Sequence, residues 1–581
     1  MEYRALVDVY ERLAATDATT EKREILAKAF GSAQTTLDRV VTLVRGRLGP
    51  AHDQVELGVS SSLTLAAVQR ATGATEAAIR ERWRDTGDLG DAAAWAAEHG
   101  GQQTLVSTTL TVERVHDQLR SLATYEGTGS QDRRVETLAG LIADAEPREA
   151  RYVVRTALGH LRIGVGEGLI RDAIATAFLE GDDAAVTAVE RAYQVTNDYQ
   201  VVARTARAEG RAGLAALDVE LGRPVQAMLA EKAESLADGL ESAAEHVRDV
   251  PEEPPGAVRC EVKYDGIRIQ IHVTDDDIRL FTRRLEDVTA QFPDAVRAID
   301  AGVTADRAIL DGELVGYTPD SIEKETRRTV PFQRLSQRIK REEEITETAR
   351  EVPVVVHLFD CLYDGTSLVD EPLAGRLAVL GESYDAVDPE LEVPRGGLEH
   401  AAAVWAGPTA PTPAEQLYED ALQDGHEGLV LKDPTAAYEP GRRVGRLLKV
   451  KPTMEPLDLV VTRAMYSEGR RSDLLGRLYL GCRDEDTGEL REVGRLSTGY
   501  TDEELAALTD RLEELVIDRE GRSVDLEPEV VLEVEYEEIQ QSPEYGSGYA
   551  LRFPRFLDER TDLEVMEADS LERIEALYDR Q

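Results

Sequence analysis

A lysine beside a tight turn has the most specific chemistry in this sequence. Lys263 lies in the segment Glu261-Val262-Lys263-Tyr264-Asp265-Gly266-Ile267-Arg268, with carboxylates and a guanidinium nearby. A lysine amine attacks phosphorus only when it is deprotonated, and neighbouring cations such as Arg268 or a bound metal lower its pKa in that direction. The segment therefore predicts a nucleophile, although a Lys-x-Asp-Gly tetrapeptide alone is also common as an ordinary turn.

The scarcity of lysine strengthens this interpretation. Only nine of the 67 basic residues are lysines, and four of them, Lys263, Lys432, Lys449 and Lys451, fall in short apolar segments of one central region. Lysine offers a compact ammonium with a tunable pKa, whereas arginine keeps its charge and its planar fork. The pattern indicates that these lysines serve as a nucleophile or as contacts to phosphate.

Composition limits the class of protein. The chain has 581 residues, enough for three or four domains, with 31% charged and 5% aromatic residues and a formal net charge of −45. It has no run of eighteen apolar residues, and it opens directly into a charged helical pattern, so we expect a soluble cytoplasmic protein without a membrane segment. Its cysteines, Cys260, Cys361 and Cys482, are far apart, which disfavours disulfides and structural zinc.

The acidity has two interpretations. An acidic surface can simply keep a protein in solution. Alternatively, a carboxylate-rich and lysine-poor surface suits concentrated salt, which screens its self-repulsion, and we favour this halophilic hypothesis. Net acidity argues against nucleic acid as a ligand, but local arginine patches can exist within an acidic envelope.

Residues 1 to about 216 have helical apolar spacing, as in Val135, Leu138, Leu141 and Ile142. Glycine turns separate the helices, and these turns can be plain helix ends or can approach DNA phosphates through bare backbone amides. The turns span 87–90, 127–131 and 164–166, with Arg133, Arg134, Arg155 and Arg162 close to them in sequence.

The pattern changes around Pro251 to Pro255, after which strands alternate with helices to about residue 452. In 267–273, isoleucine and valine alternate with Arg268, Gln270 and His272, which predicts a half-buried strand. Lys263 therefore belongs just before a turn that leads into this strand. Near residue 450, Lys449 and Lys451 must point to one face, with Leu448 and Val450 on the other.

Short strands continue from about 453 to the end. The segments 457–463, 476–482 and 529–536 have strand length, and a helix is expected at about 502–517. Five or so short strands with one helix fit a small barrel such as an OB-fold.

Taken in order, these segments resemble the covalent nucleotidyltransferases, and most closely the ATP-dependent DNA ligases of archaeal and eukaryotic type. The resemblance covers almost the whole chain and implies a multidomain protein: an all-α DNA-binding domain (1–216), an α+β adenylation domain (217–452) and a C-terminal β-barrel OB-fold (453–581). The motifs that carry it are Lys263 to Arg268, Thr282 to Thr289, Leu310 to Leu314, Leu358 to Asp360, Glu427 to Lys432, Lys449 to Lys451 and Arg552 to Phe556, together with Gly127 to Gln131 and Leu161 to Val165 in the helical part.

The resemblance also implies roles for individual residues. Lys263 would attack the α-phosphorus of ATP and carry AMP as a phosphoramidate, and Glu427 and Glu313 would help to place Mg²⁺. Glu313 would also accept a hydrogen bond from the ribose, and Phe359 would stack on adenine. The remaining nucleotide-binding residues would be Glu261, Arg268, Arg283, Lys432, Arg443, Lys449 and Lys451, with Arg552 and Arg555 orienting the leaving pyrophosphate.

Each role has a plainer alternative. Phe359 could be core, Asp311 and Glu313 could pair with surface arginines, and Arg442 and Arg443 could be solvated. His426 invites a metal interpretation, but no second histidine lies near it in sequence, so we assign it no role. Leu447 stands where the family usually has tryptophan.

The function that this resemblance implies is sealing of nicks in duplex DNA during replication, repair and recombination, with ATP and Mg²⁺ as cofactors. We expect a monomer that acts on nicked duplex DNA and could bind a sliding clamp. An mRNA-capping enzyme or RNA ligase would leave the helical domain unexplained, and an NAD-dependent ligase would need a cysteine-ligated zinc module. A catalytically silent DNA-binding scaffold is the alternative from another class, and the retained lysines argue against it.

Overall fold

The computed structural model describes residues 1–53, 55–100, 109–247, 257–323, 328–341, 343–391, 394–452, 454–467 and 473–579. It divides into two compact units, Met1–Val450 and Lys451–Gln581. The change of pattern expected around Pro251 to Pro255 lies outside the described residues. In the part of the chain that is described, no helix is both long and apolar enough to cross a membrane.

The amino-terminal part of the first unit is helical, as its apolar spacing predicts. The helices are α1 Tyr3–Ala14, α2 Thr19–Ser32, α3 Leu37–Val44, α4 Ser61–Thr72, α5 Glu76–Thr86, α6 Leu89–His99, α7 Val112–Ser121, α8 Ser130–Asp144, α9 Pro147–Ala157, α10 Glu167–Phe178, α11 Asp183–Thr196 and α12 Tyr199–Ala215. On α8 the side chains of Leu138, Leu141 and Ile142 are buried in one core with the neighbouring helices. Gly87 ends α5 in the left-handed conformation, with φ of 65°, which a glycine adopts without steric cost.

The rest of the first unit alternates strands and helices, as expected. Its helices are α13 Leu236–Ala244, α14 Pro293–Gly302, α15 Pro319–Glu323, α16 Phe332–Ser336, α17 Ile345–Glu351, α18 Leu373–Glu382 and α19 Thr412–Gln423. Its strands are β1 Leu229–Lys232, β2 Val258–Val262, β3 Ile267–Val273, β4 Ile278–Thr282, β5 Ala308–Gly316, β6 Val354–Asp364, β7 Gly397–His400, β8 Ala403–Ala406, β9 Leu429–Lys432 and β10 Arg443–Val450.

These strands form two sheets that meet at Lys263. One sheet has the order β1-β10-β9-β2-β8 and the other the order β4-β3-β5-β6-β7, with parallel pairing only for β1 with β10 and for β6 with β7 among the described strands. Because β2 and β3 belong to different sheets, the turn at 263–266 carries the chain from one sheet to the other. The apolar side chains of Leu448 and Val450 on β10 are buried, as their alternation predicts.

The expectation that β3 is a half-buried strand is wrong. Gln270 and His272 are 6% and 1% exposed, so the polar face of the strand is covered as well. The cover is the segment that follows α12. Val225 N–H donates to Gln270 Oε1 at 2.9 Å, and Gly222 N–H donates to His272 Nδ1 at 2.9 Å. Gln270 and His272 accept hydrogen bonds from backbone N–H groups of that segment. Alternation in the sequence cannot distinguish a polar side chain that does this from one that faces water.

The second unit is rich in strands. Its elements are β11 Leu457–Met465, β12 Arg477–Arg483, β13 Leu490–Leu496, α20 Asp502–Glu513, β14 Val516–Glu520, β15 Ser523–Leu526, β16 Val531–Glu535, β17 Glu538–Gln541, β18 Tyr549–Arg552, β19 Arg555–Glu559 and α21 Leu571–Tyr578. One sheet follows β13-β12-β11-β15-β14, β16 bridges β11 and β19, and β17 pairs with β18. The described strands do not close into a barrel.

Two expectations for this unit need correction. It holds more strands than the predicted five or so, and a second helix, α21, joins α20. The helix expected at 502–517 ends at Glu513, because the strand β14 begins at Val516. Its start is as predicted: Thr501 and Glu504 cap each other's backbone amides at the amino terminus of α20.

Candidate active site

Lys263 is held at the junction of the two sheets by backbone hydrogen bonds. Its N–H donates to Gly428 O at 2.8 Å, and its carbonyl accepts from Glu427 N–H at 2.9 Å. Gly266, in the turn that follows, approaches β5 so closely that a Cβ atom would overlap Leu314 O. The turn is therefore defined by close backbone contact, which explains the glycine in the Lys-x-Asp-Gly segment.

The Lys263 ammonium forms an ion pair with the Glu427 carboxylate, and both side chains are about one-fifth to one-quarter exposed, at 24% and 21%. Glu313, on β5, lies in the field of the same groups. Burial raises the pKa of Glu313 to about 8, with Lys263 and Arg268 opposing the rise and Glu427 and Asp311 adding to it. The structure thus brings together a lysine and two carboxylates that are far apart in sequence.

A second group of predicted residues surrounds Phe359 on β6. Lys432 Nζ lies 4.4 Å from the centroid of the Phe359 ring, and Arg268 Cζ lies 5.4 Å from it. Lys432 also pairs with Glu261 at 2.5 Å, and the Glu261 side chain is 3% exposed. Phe359 is only half-buried, so it is not an ordinary core residue. A half-buried aromatic ring beside a buried carboxylate and two cations is suited to a flat polar ring such as a base.

Arg268 is held by acceptors of the protein itself. Its guanidinium donates to Asp311 at 2.6 and 3.1 Å, to Met228 O at 2.8 Å and to Tyr438 Oη at 3.2 Å. The Tyr438 hydroxyl in turn donates to Asp311 Oδ2 at 2.9 Å and accepts from Met228 N–H at 3.2 Å. Four of the five N–H groups of Arg268 are therefore engaged, which fixes its orientation beside Phe359.

Tyr438 and Met228 were missed by the sequence reasoning. Nothing in the sequence separates Tyr438 from the other tyrosines, of which the chain has 19. The Tyr438 side chain is 5% exposed, and Met228 is 6% exposed. Only the fold shows that they meet Arg268 and Asp311.

Arg283 and Arg443 supply further positive charge. Burial, Arg268 and Arg443 lower the pKa of the Arg283 guanidinium, while Glu313 opposes the shift, so these groups lie within electrostatic reach of one another. Both arginines are exposed, and neither forms an ion pair with another described residue. Lys449 lies on β10, with its Cα paired to Val430 of β9. This distribution of cations suits a ligand that carries several negative charges.

The remaining predicted cations belong to the second unit. There Lys451 pairs with Glu537 at 3.6 Å, and Arg552 pairs with Glu538 at 2.9 Å. Arg555 begins β19 and is exposed. Their part in nucleotide binding stays a prediction.

Behind Lys263, Tyr264 packs against two histidines. Its ring is stacked on His357 with centroids 4.0 Å apart, and His426 meets its edge at 4.7 Å. Burial lowers the pKa of His426 to about 4, so this histidine is neutral near pH 7. His426 has a packing contact here, beside the turn that carries Lys263.

The carboxylates of Glu313 and Glu427 suit a magnesium ion that is shared with a phosphate ligand, and not a metal held by protein side chains alone. Mg²⁺ commonly takes one or two carboxylates from the protein, with phosphate oxygens and water completing the shell. Glu313 and Glu427 lie within electrostatic reach of each other and of Lys263, so two carboxylates stand near the predicted nucleophile. Over the described ranges no group of three or more His, Cys, Asp or Glu side chains could hold a metal alone.

The three cysteines are buried free thiols. Burial raises the pKa of each thiol to about 12, which keeps the groups protonated. They contribute apolar packing within the sheets.

The arginines near the glycine turns of the helical part have different surroundings. Arg155 pairs with Asp88 at 3.0 Å and is 12% exposed, and Arg134 donates to Leu122 O and Tyr125 O at 3.1 and 2.6 Å. Arg133 is exposed and donates to Glu126 O, and Arg162 is 56% exposed. Arg134 and Arg155 therefore stabilise the turns, and Arg133 presents charge at the surface. Arg162 is exposed but also pairs with Asp88 at 3.1 Å.

Comparison with known proteins places the chain in a family. Family models match residues 2–175 (DNA ligase N terminus), 227–451 (ATP dependent DNA ligase domain) and 471–563 (ATP dependent DNA ligase C terminal region). The DNA ligase of Thermococcus onnurineus is 40% identical over 584 residues, covering 100% of this chain and 98% of the relative. The chain belongs to the ATP-dependent DNA ligases.

Other relatives agree with this placement of the ligase. The DNA ligase of Methanothermobacter thermautotrophicus is 41% identical over 577 residues, covering 99% of this chain and 98% of its own. That of Halobacterium salinarum is 41% identical over 597 residues, covering 100% of both. A solved structure described as Pmar-Lig_PreS3 is 15% identical, with a TM-score of 0.55 over 96% of this chain and 99% of that chain, and shows the same overall fold.

Proposed function

We propose that this ATP-dependent DNA ligase seals nicks in duplex DNA through AMP carried on Lys263. The Lys263 nitrogen forms a bond to the α-phosphorus of ATP, and pyrophosphate leaves. AMP then passes to the 5′-phosphate at the nick, and the 3′-hydroxyl attacks that phosphate, closes the backbone and releases AMP. The observation that carries the proposal is the convergence of Lys263, Glu313, Phe359 and Glu427 at one junction between two sheets.

The attack by Lys263 needs the loss of a proton and a balance of charge. The ammonium must first give a proton to solvent, with which it is in contact, since the Lys263 side chain is 24% exposed. Arg283, Arg443 and Lys449 would neutralise the phosphates as charge builds on them. An in-line displacement at phosphorus depends mainly on position and charge, and these residues supply both.

The adenosine would occupy the pocket beside Phe359. The ring would stack on the base, with Glu261 accepting a hydrogen bond from its edge and Glu313 accepting one from the ribose. Lys432 pairs with Glu261, so we propose that it also orients this carboxylate toward the base. Arg268 is held by Asp311, which suits it to shape the ribose side of the pocket.

Mg²⁺ would be held by Glu313 and Glu427 together with phosphate oxygens. When bound, it supplies positive charge that neutralises the phosphates. Near this charge the Lys263 amine is favoured over the ammonium.

The domain boundaries remain part of the proposal, as do the roles of the outer domains. Residues 1–216 would grip the duplex through its phosphates and minor groove with little readout of bases, since a ligase must accept any sequence. Residues 453–581 would form an OB-fold, from which Arg552 and Arg555 would act on the leaving pyrophosphate. We propose action in replication, repair and recombination, in the cytoplasm and as a monomer, with a sliding clamp as a possible partner.

Incubation with α-labelled ATP and Mg²⁺ tests the central step. We expect an acid-labile protein–AMP adduct that Lys263→Ala abolishes and the control Lys28→Ala retains, because Lys28 is an exposed lysine of α2 in the helical part. Addition of nicked duplex should discharge the label and seal the strand. A catalytically silent scaffold would give no adduct, and a capping enzyme would prefer labelled GTP.

We also propose that the enzyme works in concentrated salt. Its net charge of −45 and its nine lysines among 67 basic residues support this. Folding and nick sealing measured from dilute buffer to molar salt should both rise with salt. Full activity and folding in dilute buffer would refute the halophilic proposal and leave the ligase reaction untouched.

A further inference from the structure

The turn between α9 and α10 has unusual backbone geometry. Arg162 and Gly164 both adopt positive φ angles, of 56° and 63°. A left-handed arginine costs about 1 kcal/mol or more and is kept only where its surroundings hold it. The turn is exposed at 162, 164 and 166 to 168, while Leu161 and Ile163 anchor it in the core of the helical part.

The amides of this turn have no acceptor within the described part of the protein. In the fully described range 109–247, none of the backbone N–H groups of residues 161–168 donates a hydrogen bond to another described group. No side chain caps α10, whose N-cap is Gly166, and Gly166 and Gly168 have open space where a Cβ would be. The amides of the turn are therefore not engaged by the described part of the protein.

The carbonyls of the turn are bound from the inner side by Lys22. Lys22 Nζ donates to Gly164 O at 3.1 Å and to Ile163 O at 3.4 Å. Lys22 is 8% exposed, and it forms no ion pair with a carboxylate of the described residues. A buried cation without a carboxylate partner is costly, so its retention calls for a reason.

The geometry explains why this residue is a lysine in a chain that prefers arginine. A Cβ atom on residue 164 would overlap the Lys22 ammonium, so the compact ammonium sits directly under a glycine. A planar guanidinium has a larger head group and a different donor geometry. The other side of the turn is held by Arg162, which pairs with Asp88 at 3.1 Å and donates to Gly87 O at 3.3 Å.

We propose that Lys22 is a positioning residue for DNA binding. Its ammonium holds the carbonyls of Ile163 and Gly164 inward, and so keeps the amides of residues 164–168 turned outward to meet a phosphate of the duplex. This inference rests on the proposed function, in which the glycine turns of the helical part contact the DNA backbone. Lys22 itself acts through the turn and does not take part in adenylation.

The test compares Lys22→Met with Lys28→Met in the full-length ligase. Both residues lie on α2, but Lys28 is exposed. We expect Lys22→Met to raise the KM for nicked duplex by about tenfold, the effect of losing roughly 1.4 kcal/mol of hydrogen bonding to phosphate. The rate of lysyl-AMP formation should equal that of the wild type, and Lys28→Met should leave both quantities unchanged.

Salt dependence separates binding through the amides from direct charge contact by Lys22. Because the amides are neutral, the slope of log binding constant against log salt should equal that of the wild type, whereas loss of a cation bound to phosphate would lower it by about 1. The comparison is made over salt concentrations at which circular dichroism shows every variant folded. We expect Lys22→Arg to bind nicked duplex as weakly as Lys22→Met, because the position of the ammonium under Gly164 is what matters. If only the charge mattered, Lys22→Arg would bind as the wild type does. An unchanged KM in Lys22→Met, a slope lower by about 1, or rescue by Lys22→Arg would overturn the proposal.

Gly164→Ala provides a second measurement that does not depend on the stability of Lys22→Met. The added Cβ should displace the ammonium and cause the same loss of nick binding. Because both changes break one contact, the double variant should bind no more weakly than the weaker single variant. Fully additive losses would contradict the proposal. Failure of the proposed function would instead appear in the wild type, as absent lysyl-AMP.

Discussion

Tyr438→Phe removes one hydroxyl that supports Arg268 and Asp311, and we expect it to weaken nucleotide binding at the proposed site. Burial, with Asp311 adding to it, raises the pKa of Tyr438 well above its ordinary value, so the hydroxyl stays protonated and can donate. Its bond to the Asp311 carboxylate is 2.9 Å long, and bonds to charged groups contribute about 1.5–3 kcal/mol. Loss of this bond also leaves Met228 N–H without its acceptor, which costs about 1–3 kcal/mol.

Together these effects should lower the free energy of unfolding of the first unit by about 2–4 kcal/mol, since partial relaxation recovers some of the loss. Arg268 loses one of its four bonds, and with it part of its fixed orientation beside Phe359. We therefore expect the KM for ATP to rise and the rate of lysyl-AMP formation to fall by about tenfold, the equivalent of 1.4 kcal/mol.

The assay is single-turnover adenylation over a range of ATP concentrations, run beside urea unfolding. Tyr199→Phe is the matched control, because it removes a buried hydroxyl that donates to Glu167 O at 3.2 Å in the helical part. The control should lose stability but adenylate at the wild-type rate. If Tyr438→Phe lost stability as expected while its KM for ATP and its rate stayed those of the wild type, Tyr438 would have no part in positioning the site.

Three further changes test other parts of the structure. Glu427→Gln removes the carboxylate that pairs with Lys263, and we expect lysyl-AMP formation to fall by about 10²–10³-fold at saturating Mg²⁺, with an unchanged unfolding midpoint. Burial lowers the pKa of His272 to about 3, so the neutral ring stabilises the fold fully above about pH 6.5 and less as the pH falls. At pH 5 the free energy of unfolding of the wild type should be lower by about 2 kcal/mol, a decrease that His272→Gln should not show. Unfolding curves recorded across pH measure this difference. Asp294→Ala leaves Arg338, which is 1% exposed, without its buried partner and should cost about 3–5 kcal/mol of unfolding free energy; a loss below 1 kcal/mol would show that the pair is not isolated from solvent.

The sequence predicted the parts of the site that depend on residue type and on order along the chain. Lys263 before a glycine turn, the alternating carboxylates Asp311 and Glu313, and the lysines of the central region all point to chemistry at phosphorus without any coordinates. The roles of Arg268 and Lys432 could not be separated in the same way. Both are cations in strands, but Arg268 is bound by Asp311 and Lys432 by Glu261, and these partners lie 43 and 171 positions away in sequence.

The fold shows the same division. Helical periodicity located the helical part, and alternation located β3, because both patterns arise from the local geometry of the backbone. Alternation could not show that Gln270 and His272 face the segment 222–225 and not water, since a polar side chain satisfies solvent and a buried amide equally well.

The sequence by itself determined which side chains can attack phosphorus, neutralise phosphate or stack on a base. These abilities depend on the type of each side chain and on its near neighbours in sequence. Tertiary structure decided which of them meet. Tyr438 touches Asp311 and Lys22 touches Gly164 only because the chain folds back over more than a hundred residues in each case. Such contacts depend on the summed packing of many elements, and no local signal in the sequence encodes them.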